Sequence, residues 1–117
     1  MPRADALRDR GCIQHMLEYC RQLRETLREI GHSKEAFLAS HTYQNAAAMC
    51  ILQLGELTKQ LSDEFQKRHS EIPWALIAKT RDIYAHHYGV TDFEMVWETA
   101  VRDAPILEAF CADYLNE

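Results

Sequence analysis

The sequence predicts one all-α domain over residues 1–117, a small antiparallel bundle of four to five helices. Apolar residues recur at spacings of three and four over long stretches, as they do on the buried face of a helix. The 117 residues include only 4 glycines and 3 prolines, too few for an all-β fold built on frequent turns. The 47% hydrophobic and 26% charged residues suit a compact domain that buries its own core.

The first two helices are predicted over residues 4–30 and Lys34–Leu38. Gly31 stops the first helix in the usual position just past a C-terminus. Ser33 is a suitable N-cap for the second helix. The apolar positions of the first helix stay in step without a break: Ile13, Met16, Cys20, Leu23, Leu27 and Ile30.

A third helix is predicted over residues 41–65, with Gly55 inside it. A glycine in a helix interior costs about 1 kcal/mol relative to alanine, so we expect another element to approach closely there. Residues 68–72 are predicted to form a loop. Pro73 suits a first helical turn, and the fourth helix is predicted over residues 73–88, with Gly89 at its end.

A fifth helix is predicted after Thr91 or Asp92, either of which can cap it. Its apolar positions again keep the helical spacing: Phe93, Trp97, Ala100, Ala104, Leu107, Cys111 and Tyr114. Pro105 interrupts this pattern. Proline has no backbone N–H and its ring clashes with the preceding turn, so we expect Pro105 to kink or split the helix.

Net charge and cysteine content narrow the functional classes. The formal net charge is −5, but the acidic excess lies after residue 88, which leaves a nearly neutral surface on which a nucleic acid can bind. The basic N-terminus is not followed by an apolar stretch, so we expect no signal peptide and a cytoplasmic protein. The four cysteines form no CxxC pair, and we expect buried, reduced thiols and neither a metal nor a cofactor.

The predicted fourth helix carries the reactive side chains. One face runs through Trp74, Ile77, Arg81, Tyr84 and Tyr88, and so changes from apolar to polar along a single stripe. An arginine on a packing stripe requires an anionic partner or a subunit junction to offset its desolvation.

Acid–base and phosphate-binding groups are combined on this helix. Asp82 and His86 are four residues apart, so the carboxylate can orient the imidazole. Imidazole can move a proton during metal-independent RNA cleavage, and a guanidinium can hold phosphate oxygens as charge develops. The alternative interpretation is a charged helix face that is merely solvated.

A family resemblance is carried by the segment EIPWALIAKTRDIYAHHYGVTDFEMVW. It resembles the signature region of the HepT-like HEPN proteins, the toxin half of the MNT–HEPN type VII toxin–antitoxin systems. The family pattern is Arg, four residues, His, one residue and Tyr, here Arg81, His86 and Tyr88. Asp82 is the usual polar residue after the arginine. The LGEL sequence at residues 54–57 also matches, and the resemblance covers roughly residues 37–110.

The resemblance implies an all-α homodimer with a metal-independent endoribonuclease site. Arg81 and His86 of both protomers would be catalytic, with Asp82, His87 and Tyr88 in support. Because His86 and His87 are adjacent, the sequence leaves open which imidazole does the work. The resemblance also implies a nucleotidyltransferase antitoxin that inactivates the toxin by transferring AMP to Tyr88.

Helix geometry supports a dimer independently. Arg81 and His86 are five residues apart, about 140° around a helix, so one protomer brings them together poorly. Two such helices crossing at a two-fold axis would combine both residues in one cleft. We therefore expect a homodimer joined partly through the stripe that begins at Trp74. The alternative function is a non-catalytic dimeric partner of a nucleotidyltransferase, contacting nucleotide or nucleic acid.

Three further features have two interpretations each. Arg21, Arg24 and Arg28 share one face of the first helix and can either follow an RNA backbone or form surface ion pairs. Trp74 and Trp97 can stack on bases, but core packing is favoured at their positions. Glu56, next to Gly55, is a candidate to brace Arg81 across the bundle, although the sequence alone does not show this contact.

Overall fold

The computed structural model describes residues 2–86 and 92–116, with side chains described for residues 5–82 and 92–116. Within these ranges the regular secondary structure is helical, which confirms the all-α prediction. The elements are α1 (Pro2–Glu29), α2 (Lys34–Leu38), α3 (His41–Gln60), α4 (Asp63–Arg68), α5 (Trp74–His86), α6 (Phe93–Glu98), a π-helical segment (Thr99–Asp103) and α7 (Ala104–Leu115).

The prediction of one helix over residues 41–65 is wrong, because two helices occupy this stretch. Leu61 is extended, with φ −67° and ψ 141°, and Ser62 caps α4 by accepting a hydrogen bond from the Phe65 amide. A contact with Asp9 on α1 fixes the position of the break between α3 and α4. The backbone N–H and the hydroxyl of Ser62 donate to the buried carboxylate of Asp9 at 2.8 and 2.6 Å. This contact also places the start of α1 beside the end of α3.

The end of α1, both ends of α2 and the start of α5 lie within a residue or so of their predicted positions. Gly31 has a φ of +62°, the left-handed conformation that glycine adopts easily, and α1 ends just before it. Ser33 caps α2 as predicted. Helix α5 begins directly after Pro73, whereas its predicted end at Tyr88 and Gly89 lies outside the described residues.

Pro105 splits the last helix as expected. The break takes the form of the π-helical segment, and the Ala104 amide donates to the Thr99 carbonyl, five residues back. Pro105 then occupies the first turn of α7, where no backbone donor is needed. The wider π turn lets the chain remain helical from Phe93 to Leu115 despite the missing N–H.

Helices α1 and α7 run antiparallel. Arg10 donates to the Leu115 carbonyl at 3.2 Å, and Arg24, further along α1, pairs at 3.2 Å with Glu108 near the start of α7. Arg28 pairs with Glu25 at 2.6 Å. Arg24 and Arg28 therefore follow the ion-pair interpretation of the arginine row. None of the described helices is both long and apolar enough to cross a lipid bilayer.

The core consists of two apolar clusters along α1. Trp74 is buried in one, with its ring against Phe65 and Phe110 at centroid distances of 5.9 and 5.7 Å. Trp97 is buried in the other, 5.4 Å from Phe37. Both tryptophans therefore pack in the core. All four cysteines are free and buried, and burial raises the pKa of Cys111 to about 12, which keeps that thiol protonated.

Candidate active site on helix α5

Helix α5 packs directly on α3 at Gly55, as the glycine in the α3 interior predicted. A Cβ atom at Gly55 would lie 2.1 Å from Cβ of Arg81 and 3.1 Å from the carbonyl oxygen of Ile77. Ordinary van der Waals contact begins near 3.4 Å, so only glycine permits this approach. The stem of Arg81 therefore lies against the backbone of α3, and its position depends on the distance between the two helices.

Glu56 pairs with Arg81 across the bundle, the contact that the sequence suggested but did not show. Oε2 of Glu56 lies 3.2 Å from Nε of Arg81. The Arg81 side chain is 30% exposed, so the guanidinium is partly desolvated yet accessible. The anionic partner that an arginine on a packing stripe requires is thus supplied, at least in part, within the same chain.

Asp82 bridges the two helices through a lysine that sequence reasoning missed. Its Oδ1 accepts hydrogen bonds from Nζ of Lys59, on α3, and from Nη1 of Arg81 at 3.4 Å. The hydrogen bond from Lys59 is the main cause that lowers the pKa of the Asp82 carboxyl below its usual value, with Arg81 contributing. The available signal was spacing, since Lys59 follows Glu56 by three residues and shares its face of α3.

The four charged residues form a chain of alternating sign, which we call the α3–α5 charge chain: Glu56, Arg81, Asp82 and Lys59. Its two cations and two anions balance. Their side chains are 30–47% exposed, and exposed ion pairs contribute little to stability because water screens them. The main effect of the chain is therefore orientation, because Nε and Nη1 of Arg81 are held while Nη2 takes part in neither contact.

The remaining predicted site residues lie at or beyond the end of the described part of α5. His86 is the last described residue of α5, one and a half turns beyond Arg81, and its side chain is outside the described set. His87 and Tyr88 lie outside the described residues altogether. The predicted contact between Asp82 and His86 stays a prediction, although Lys59 engages the carboxylate.

The expected dimer stripe needs correction at its N-terminal end. Trp74 is only 4% exposed, and Ile77 packs partly buried against the same core cluster. Trp74 is therefore unavailable to a second subunit, whereas Ile77 is only partly buried and also lines the surface beside Leu76. The exposed apolar side chain on this half of α5 is Leu76, at 60% exposure.

An apolar groove lies between α5 and the last helical stretch. Its volume is about 290 Å³, and Leu76 and Ile106, 60% and 61% exposed, lie on its two sides. Met95, Arg102 and Asp103 also line it. Large exposed apolar side chains that cluster in this way mark interaction surfaces. Across residues 5–82 and 92–116, no group of three His, Cys, Asp or Glu side chains is placed to hold a metal ion.

Comparison with known proteins agrees with the family resemblance seen in the sequence. The family described as Ribonuclease HepT-like matches residues 16–113. A protein of Caldanaerobacter subterraneus subsp. tengcongensis, named as a candidate RNase, is 33% identical over 92% of this chain and 95% of its own length. A protein of Thermococcus cleftensis, named as a probable ribonuclease HepT, is 31% identical over 82% of this chain and 86% of its own. No solved structure matches this chain.

Proposed function

Because the chain belongs to the ribonuclease HepT-like family, we propose that it is an endoribonuclease that cuts RNA without a metal ion, with Arg81 and His86 as catalytic residues. The observation that carries this proposal is the setting of Arg81. Its guanidinium is oriented by Glu56 and Asp82, is partly exposed, and lies on the helix that carries His86. Relatives named as RNases support RNA as the substrate class.

The chemistry uses the ribose 2′-hydroxyl as nucleophile. An imidazole accepts the 2′-OH proton while the oxygen attacks the adjacent phosphorus, and an imidazolium protonates the leaving 5′-oxygen. The products are a 2′,3′-cyclic phosphate and a 5′-hydroxyl. Arg81 stabilises the negative charge that builds on the phosphate oxygens, where its planar fork fits well. Asp82, His87 and Tyr88 support the site, and either imidazole of the His86–His87 pair can serve.

We propose that the second subunit binds at the apolar groove between α5 and the last helical stretch. A helix turns about 100° per residue, so one copy of α5 separates Arg81 from His86 around its axis. A two-fold dimer would add a second Arg81 and a second His86 to the same cleft. Leu76 and Ile106 offer the exposed apolar surface for this contact, and Arg102 and Asp103 supply charges of both signs that a symmetric partner can match.

The family resemblance also supports a toxin role in the cytoplasm with a nucleotidyltransferase antitoxin as partner. The antitoxin would transfer AMP to the Tyr88 hydroxyl. Tyr88 is the seventh residue after Arg81, close to two helical turns, so a helix continuing to residue 88 would put both on one side. The added phosphate would then compete for the guanidinium and fill the cleft, as other charge-adding modifications do.

The test is cleavage of a labelled RNA by purified protein in buffer containing EDTA. Wild-type protein should give fragments ending in 2′,3′-cyclic phosphate, and Arg81→Ala and His86→Ala should each abolish cleavage while circular dichroism stays unchanged. Arg68→Ala is the matched control, because Arg68 pairs with Glu64 on α4 and should keep full activity. Normal cleavage by both site variants would refute the assignment, and a folded wild-type dimer without activity would favour the binding-partner function.

A further inference from the structure

We propose that Lys59 and Arg81 form a two-cation seat for a phosphate of the RNA backbone, in which the Asp82 carboxylate occupies the place of a phosphate oxygen. Lys59 lies on α3, outside the Arg81–Tyr88 motif. This inference rests on the proposed function, since that function supplies RNA as the ligand. It adds a substrate-binding residue and a competing anion from the chain itself.

The geometry of the seat follows from one shared atom. Oδ1 of Asp82 accepts from Nζ of Lys59 and from Nη1 of Arg81. Two cations that reach the same anionic oxygen can also reach a single phosphate oxygen, or two oxygens of one phosphate. Charge-assisted hydrogen bonds of this kind are the strong contacts in phosphate recognition.

The seat can exchange its occupant because it is open to solvent. The side chains of Lys59 and Asp82 are 38% and 45% exposed. Exposed pairs of this type are weak, so an incoming polyanion can displace the carboxylate. Lys59 has a flexible four-carbon stem that can follow the phosphate, and the Asp82 side chain can rotate away while its backbone stays in α5.

Glu56 allows this exchange without loss of orientation. It holds Nε of Arg81, while Asp82 contacts Nη1. When a phosphate replaces the carboxylate at Nη1, the guanidinium remains anchored at Nε. Asp82 is therefore a competitor for the seat, and Glu56 is a positioning residue for Arg81.

The experiment measures binding of a fluorescent 2′-O-methyl RNA, which lacks the attacking hydroxyl, to the full chain at several salt concentrations. Each phosphate contact on a single strand contributes a slope of about −0.7 in log K against log salt, or about 5-fold in affinity at 0.1 M salt. Lys59→Gln should weaken RNA binding by about this factor. The slope of log K against log salt should become less steep by about 0.7, the value for one phosphate contact. Lys59→Arg should retain binding, and Asp82→Asn should bind more tightly than wild type.

Lys79→Gln is the matched control. It removes the same charge two residues before Arg81, from an exposed lysine on another face of α5, and should change binding by less than twofold. The decisive comparison repeats Lys59→Gln in the Asp82→Asn background. A lysine that binds phosphate still matters there, whereas a lysine that only holds Asp82 does not.

Three results would overturn the seat: equal losses for Lys59→Gln and Lys79→Gln, no effect of Lys59→Gln once Asp82 is asparagine, or no RNA binding by the wild type. Cleavage of unmodified RNA is measured separately. Expected binding without cleavage would refute the proposed catalytic function and leave the seat standing. Normal cleavage together with equal losses of RNA binding for Lys59→Gln and Lys79→Gln would refute only the two-cation seat.

Discussion

Replacing Gly55 with alanine tests whether the close approach of α3 and α5 sets the position of Arg81. The new Cβ would lie 2.1 Å from Cβ of Arg81, so the two helices must separate by about 1.3 Å to reach ordinary contact at 3.4 Å. Rotation of a side chain cannot relieve this clash, because both Cβ atoms are fixed to helical backbone. Overpacking of this kind costs about 1–3 kcal/mol.

The substitution also has a favourable component, since alanine is better than glycine in a helix interior by about 1 kcal/mol. We therefore expect Gly55→Ala to lower the free energy of unfolding by about 1 kcal/mol and Tm by about 3–5 °C. Activity should fall further than stability. A displacement of about 1 Å in a catalytic group can reduce the rate about 100-fold, and Arg81 moves with α5.

Gly11→Ala is the matched control for this prediction. Gly11 lies in the interior of α1, and a Cβ there meets nothing within 4 Å. The same chemical change should therefore stabilise the protein by about 0.5–1 kcal/mol and leave RNA cleavage intact. Urea unfolding and initial cleavage rates measure both variants. If Gly55→Ala is as stable and as active as Gly11→Ala, the close approach does not position Arg81.

Three further predictions address the dimer surface, the helix break and the thiols. Leu76→Glu and Ile106→Glu should each weaken the dimer more than tenfold in sedimentation at micromolar concentration, whereas Met49→Glu, an exposed apolar position outside the groove, should not; a wild-type mass of 13.6 kDa would refute the dimer itself. Asp9→Ala should lower the free energy of unfolding by about 1–3 kcal/mol in urea, because two partly buried donors of Ser62 lose their buried acceptor, and a change below about 0.5 kcal/mol would contradict this. The four cysteines should react with a thiol reagent at pH 8 only after unfolding, since burial raises their pKa values; fast reaction of the folded protein would show that a thiol is accessible.

The helices were predictable where local signals decided them. Apolar spacing, Gly31 and Ser33 located α1 and α2 to within a residue or two, because periodicity and caps are local. The break between α3 and α4 was not predictable in this way. Its cause is the contact of Ser62 with Asp9, 53 residues earlier, and a run of helical spacing continues through it. Tertiary contacts of that kind override local propensity.

The candidate site was predictable where a residue broke the local pattern of its helix. Arg81 stood out because it interrupts an apolar stripe, and Gly55 stood out because glycine is unfavourable inside a helix. Lys59 broke no pattern and had only its spacing from Glu56 as a signal, since a lysine on a helix surface is ordinary and its partner Asp82 is on another helix. The predicted roles of His86, His87 and Tyr88 continue to depend on the family resemblance.

The orientation of Arg81 and the supply of imidazole are separable requirements. Glu56, Gly55 and Asp82 orient Arg81 within one chain, through the packing of α3 on α5. The proposed second imidazole comes from another subunit, through the groove beside Leu76. Changes at Gly55 should therefore reduce activity in a protein that still dimerises, whereas changes in the groove should reduce activity in proportion to the loss of dimer. Mixing Arg81→Ala subunits with His86→Ala subunits, each inactive alone, would restore activity only if the dimer completes the site, because one intact arginine and one intact histidine then come from different chains.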